Sequence, residues 1–136
     1  MLIKTTYRDT PSKTILPNVF RIEKAHREEF LIDENGKNLF KNGASFNSID
    51  YDEDVEKWVF NKKNNAAMYS KNLDRIIVPF GIYSKIDFRI SGYAEVRRIG
   101  HGFRTLGYIN DRGQVVIQPT SNYKKRNRLY RNLTKN

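Results

Sequence analysis

The chain has 136 residues, 38% hydrophobic and 29% charged, with no cysteine. That length suits one domain with its own core, and the missing cysteines exclude disulfide scaffolds, cysteine-ligated zinc and thiol catalysis. The net charge of +10 is one-sided: residues 1–68 carry 11 basic and 11 acidic side chains, residues 69–136 carry 14 and 4. Charge alone then calls for an acidic partner to the second half, whether nucleic acid, an acidic protein surface or an anionic membrane. No stretch approaches the ~18 apolar residues of a membrane span and no apolar leader is visible, so a cytoplasmic protein, or part of an intracellularly assembled particle, with no membrane contact is expected.

Residues 1–27 read as an N-terminal arm. Within it Thr14-Ile15-Leu16-Pro17 looks like the strand-closing Ile76-Ile77-Val78-Pro79 further along, and Phe20-Arg21-Ile22 would open a shortened unit ending near His26. Phe20 to Phe30 fits either a short helix or an extended edge. From Phe30 the pattern becomes regular: Phe30-Leu31-Ile32 runs into Asp33-Glu34-Asn35-Gly36, a turn whose glycine supplies positive φ. After it comes Phe46, opening the pattern aromatic-x-x-Ile-Asp that ends at Asp50, then an acidic stretch to Glu56 and a strand candidate at Lys57 to Phe60.

The same landmarks return 37 residues later and again after a further 40. Ala67-Met68-Tyr69 leads through a turn to Ile76-Ile77-Val78-Pro79, with Leu73 where the first copy has Gly36, so that Asn72 is the residue expected to take positive φ. Tyr83 to Asp87 repeats the aromatic-x-x-Ile-Asp pattern, and Ala94 to Arg97 repeats the third strand. The loop from Ile99 to Arg104, with Gly100 and Gly102, accounts for three residues of difference in spacing. The last copy is the clearest hairpin: Tyr108-Ile109, then Asn110-Asp111-Arg112-Gly113, then Val115-Val116-Ile117 and Pro119. Self-similarity at this period predicts an all-β chain of tandem antiparallel hairpin or meander units, none able to bury its apolar face alone.

The run Gly107-Tyr108-Ile109-Asn110-Asp111-Arg112-Gly113-Gln114-Val115-Val116-Ile117-Gln118-Pro119 resembles the WG β-repeat, a module of short antiparallel strands found in tandem. Tyr83 to Phe88 followed by Ser91 to Val96 is similar to that family's segment between hairpins. The likeness covers residues 28–123, with Leu106 where the family has tryptophan, and Glu29-Phe30 and Ala66-Ala67 replacing the Trp-Gly pair in the earlier copies. The resemblance implies a repeat scaffold with interaction roles and brings no catalytic residues.

Residues 124–136 form a basic extension, expected to be at most a short, marginal helix. Lys124, Lys125, Arg126, Arg128 and Arg131 stand here among Tyr123 and Tyr130, without an acid. Lysine and arginine neutralise phosphates and tyrosine stacks on bases. Arg97, Arg98 and Arg104 would extend the patch. A solvated tail that only aids solubility would look the same, as would a tail docked on the acidic stretch Asp50–Glu56 of a neighbouring subunit.

Elsewhere the chemistry is sparse. His26 and His101 have no partners at ligand spacing. The acids from Asp50 to Glu56 lack the glycine and terminal glutamate of a calcium loop, and Asp50 and Asp87 are expected to cap turns. No phosphate loop or nucleophile motif is present. No catalytic residue, metal or cofactor is assigned. The first expectation is a non-enzymatic protein-interaction or assembly scaffold presenting its basic surface to an acidic partner, as a structural or inhibitory subunit of a larger complex such as a virion or nucleoprotein assembly, or as a homo-oligomer. The alternatives are a nucleic-acid-binding protein acting through its basic extension and a small hydrolase.

Overall fold

The computed structural model describes residues 11–24, 28–40, 44–89 and 91–135. His26, where the shortened unit was read to end, and the start of the N-terminal arm lie outside the described residues. The elements in chain order are β1 (Ser12–Lys13), β2 (Phe20–Lys24), β3 (Glu28–Ile32), β4 (Ser48–Asp52), β5 (Lys57–Asn61), β6 (Ala66–Ser70), β7 (Ile76–Phe88), β8 (Ala94–Arg98), β9 (Leu106–Ile109), β10 (Val115–Thr120) and the helix α1 (Tyr123–Thr134). All pairings are antiparallel. β1-β2-β3 form one sheet, and β10-β9-β8-β7-β6-β5-β4 form a second in which every strand lies beside its sequence neighbour.

The stretch from Phe20 to Phe30 is extended, not helical. Phe20 and Ile22 face Phe30 and Ile32 across β2 and β3, an alternation that buries one side of the pair. Leu31, on the opposite side of β3, enters the aromatic cluster of Phe46, Trp58 and Phe60. Glu29 and Phe46 also exchange two backbone hydrogen bonds of 2.7 and 2.9 Å. One strand thus belongs to two cores and ties the small sheet to the large one. The 27/28 boundary read from the sequence falls just ahead of β3, which pairs with the arm's own β2.

The central strands are apolar on both sides. In β5, Val59 packs with Met68, Val78, Ile86 and Val96, while Trp58 and Phe60 face the aromatic cluster. Trp58 also donates its indole N–H to the Lys71 carbonyl at 2.8 Å. Phe60 meets Phe40, Phe46 and Tyr69 with ring centroids 4.8–5.4 Å apart, in tilted and edge-to-face contacts that favour aromatic pairs.

Three turns share one pattern. The N–H of Gly36 donates to the Asp33 carbonyl, that of Leu73 to Ser70, and that of Gly113 to Asn110. Each first residue also accepts a backbone N–H on its side-chain oxygen. The third residue after it has φ of 80°, 62° and 78° respectively. Leu73 therefore takes the left-handed conformation itself, where Asn72 was expected to. Its partly buried side chain packs on the aromatic cluster, which offsets the backbone strain. Asp50 and Asp87 lie within β4 and β7 and do not cap turns. Asp52 does, accepting from the N–H groups of Asp54 and Val55.

In the last hairpin, register shifts between Val115, Ile117 and Thr120 bring the backbone of β10 over Gly107. A Cβ there would stand 2.5 Å from the Ile117 carbonyl oxygen and 2.8 Å from the Pro119 nitrogen. Glycine is required by this close approach and not by its dihedrals. Gly107→Ala should destabilise the fold by about 1–3 kcal/mol, the usual range of overpacking in a tight core. Urea unfolding checks this; a variant within experimental error of wild type would show that β10 shifts freely.

Candidate functional site

The basic extension is folded onto the sheet. Asn122 caps α1 by accepting the Lys125 N–H on its side-chain oxygen at 3.1 Å, as an N-cap asparagine does. The expected 123/124 boundary falls inside the helix. With about 100° of rotation per residue, Arg126, Tyr130 and Leu133 share one side of α1. Lys124, Arg128, Arg131 and, at the C-cap, Lys135 share the opposite side and are exposed, with exposed Lys125 beside them.

Three contacts dock the inner side. The Tyr130 ring lies parallel to Tyr108 of β9, with centroids 4.4 Å apart and planes within 6°. The Tyr130 hydroxyl shares a 2.5 Å hydrogen bond with that of Ser91. Arg126 donates to the carbonyls of Thr120 at 2.7 Å and Arg104 at 3.3 Å. Tyr130 and Arg126, grouped by the sequence with the binding residues, are thus engaged within the molecule. Tyr123 is 58% exposed. With Lys124, Asn127, Tyr130 and Arg131 it lines an open concavity of about 600 Å³.

Tyr108 is itself held from beneath. Its hydroxyl donates to Glu95 at 3.3 Å, and the Glu95 carboxylate accepts from Lys85 and Arg89, each at 2.9 Å. Glu95 is the single charged residue buried among those described. Burial alone would raise its pKa, but the hydrogen bonds and charges of Lys85 and Arg89 outweigh that and leave it lowered. Burial, together with the Glu95 charge, pushes the Tyr108 phenol up, so it stays a neutral donor.

Arg97 alternates onto the same sheet face as Glu95 and is half-buried, with its Nε enclosed and without a hydrogen-bond partner. Arg98 and Arg104 are exposed at either end of the loop joining β8 to β9. That loop is two successive turns. His101 N–H donates to the Arg98 carbonyl at 3.1 Å, and Thr105 N–H to the Gly102 carbonyl at 2.9 Å. The second turn puts Phe103 and Arg104 at its corners. Phe103 is 67% exposed, and the Arg104 guanidinium carbon lies 5.4 Å from its ring centroid, a cation–π contact. Sequence reasoning passed over Phe103. The flanking Gly100 and Gly102 were the available signal, because a phenylalanine between turn residues and an arginine has no strand to belong to.

Asp50, Asp52 and Asp87 line a concavity of about 170 Å³. Asp52 holds its turn there, and Asp87 lies 3.8 Å from Arg89. Among the described residues, no three His, Cys, Asp or Glu side chains are placed to hold a metal ion, and no helix is long and apolar enough to cross a membrane. No family model, curated protein or solved structure matches the chain.

The depressed Glu95 pKa has a definite sign. Its stabilisation is fully present above the unfolded carboxyl value of about 4.3 and is lost as pH falls through the lower folded value. Glu29 acts oppositely, since burial, only partly countered by Arg21, raises its pKa. Comparing wild type with Glu95→Gln isolates the first effect. The variant should be less stable at pH 7 and lose less on acidification below about pH 4. Denaturant midpoints against pH measure it; parallel curves would contradict it.

Proposed function

We propose that this protein is a non-enzymatic binding and assembly module, a tandem β-repeat of the WG kind that displays a helix with a basic outer face to an acidic macromolecular partner. Support for the repeat comes from the shared turns at Gly36, Leu73 and Gly113, each with positive φ. The functional reading rests on one observation above all. Lys124, Arg128, Arg131 and Lys135 form an outward row on the side of α1 opposite its anchors Arg126 and Tyr130.

A scaffold that fixes cations in place has consequences for affinity. Docking α1 removes much of the ordering cost that a free basic peptide meets on binding. Along the helix, Lys124 to Lys135 spans about 16 Å at 1.5 Å per residue, a continuous strip for a polyanionic or acidic surface. Such a strip raises encounter rates and gives strongly salt-dependent affinity.

The reading is tested by retention on an immobilised polyanion. Lys124→Glu/Arg128→Glu/Arg131→Glu should elute at much lower salt than wild type. A control reversing as many charges elsewhere, Lys62→Glu/Lys63→Glu/Lys71→Glu, should shift far less. Equal shifts would reduce the helix to a contributor of net charge and refute the reading.

A further inference from the structure

We infer that the acidic partner is single-stranded nucleic acid, taken up across α1 and the β8–β9 loop, with a base stacked on Phe103. This rests on the basic-face reading above and adds a partner class to it. The independent observation is the turn from Gly102 to Thr105. An acidic protein surface would pair with the cations alone and gives no reason to hold Phe103, the most exposed large apolar side chain among the described residues, beside Arg104. Phe103 is 67% exposed, and the guanidinium of Arg104 stands over its ring. A base on the free face would complete a guanidinium–ring–base stack, as in sequence-tolerant single-strand recognition.

The loop and helix act as one surface. Arg126 binds the Arg104 carbonyl and the Thr120 carbonyl at the foot of α1, fixing the Phe103 turn against the first helical turns. Those turns carry a further exposed aromatic, Tyr123, with Lys124 and Lys125 following it. Tyr123 therefore adjoins Lys124 and Lys125, while Phe103 stands with Arg104 on the turn that Arg126 ties to the helix. Bases unstacked from a single strand can reach such rings, whereas bases paired within a duplex present only their edges. Exposed Arg98, at the other end of the loop, adds a further phosphate contact.

The test is fluorescence anisotropy with three probes on the intact chain: a mixed-sequence single-stranded oligonucleotide, the same sequence as a duplex, and polyglutamate. Phe103→Ala should weaken single-strand binding at least about fivefold, up to roughly a hundredfold, the loss of one base stack. It should leave duplex and polyglutamate binding within twofold, and Phe103→Trp should restore the single strand. Phe103 is exposed, so thermal melting of the variants should match wild type and keep folding out of the result. Single-strand binding indifferent to Phe103→Ala, or polyglutamate bound more tightly than the oligonucleotide, would overturn the inference and leave the basic-face reading standing. Failure of wild type to bind any of the three polyanions would overturn both.

Discussion

Tyr130 lying flat on Tyr108 is the contact on which the display of the basic helix depends. α1 has twelve residues and none is buried. Isolated helices of that length are marginal in water. Lys124 and Lys125 stand in the first turn, where the helix dipole disfavours positive charge, and no acid offsets them. What holds the helix comes from outside it: the Asn122 cap, two carbonyls bound by Arg126, and the Tyr108 face with Ser91. Below, Glu95 fixes Tyr108 and is fixed by Lys85 and Arg89. A buried carboxylate with three donors is stable where a lone one would be costly.

That chain of contacts crosses three strands, which explains why a meander serves here. β7 supplies Lys85, the residue just past its end supplies Arg89, β8 the carboxylate and β9 the ring. Sequence-adjacent strands are also spatial neighbours, so the network forms from residues between positions 85 and 108, and α1 follows directly from β10. The opposite faces of the same strands carry Ile86, Ala94, Val96 and Ile109 into the core. Period-two alternation thus separates scaffold from display within single strands.

The strands and hairpins were legible because their signals are local. Alternating apolar residues, glycine turns and the recurrence of aromatic-x-x-Ile-Asp all lie within a few residues of one another. What escaped depended on distance. Leu73 tolerates positive φ because its side chain reaches the aromatic cluster, which no local pattern discloses. Glu95 reads as an ordinary alternating polar residue until Lys85, Arg89 and Tyr108 are beside it. The cations of the C-terminal segment were legible as a group, but their division was not. Only the docked geometry separates Arg126 and Tyr130, which hold the helix, from Lys124, Arg128 and Arg131, which face outward.

The central claim is that the basic helix is formed on the sheet before any partner arrives. Amide hydrogen exchange of the free protein tests it most directly. Backbone N–H groups from Asn127 to Thr134 should be protected well above random-coil rates at low salt without ligand, and Tyr130→Ala should abolish that protection while strands β5 to β8 keep theirs. Exchange of those amides at random-coil rates until a polyanion is added would contradict the account, because the segment would then fold on binding instead of being presented by the sheet.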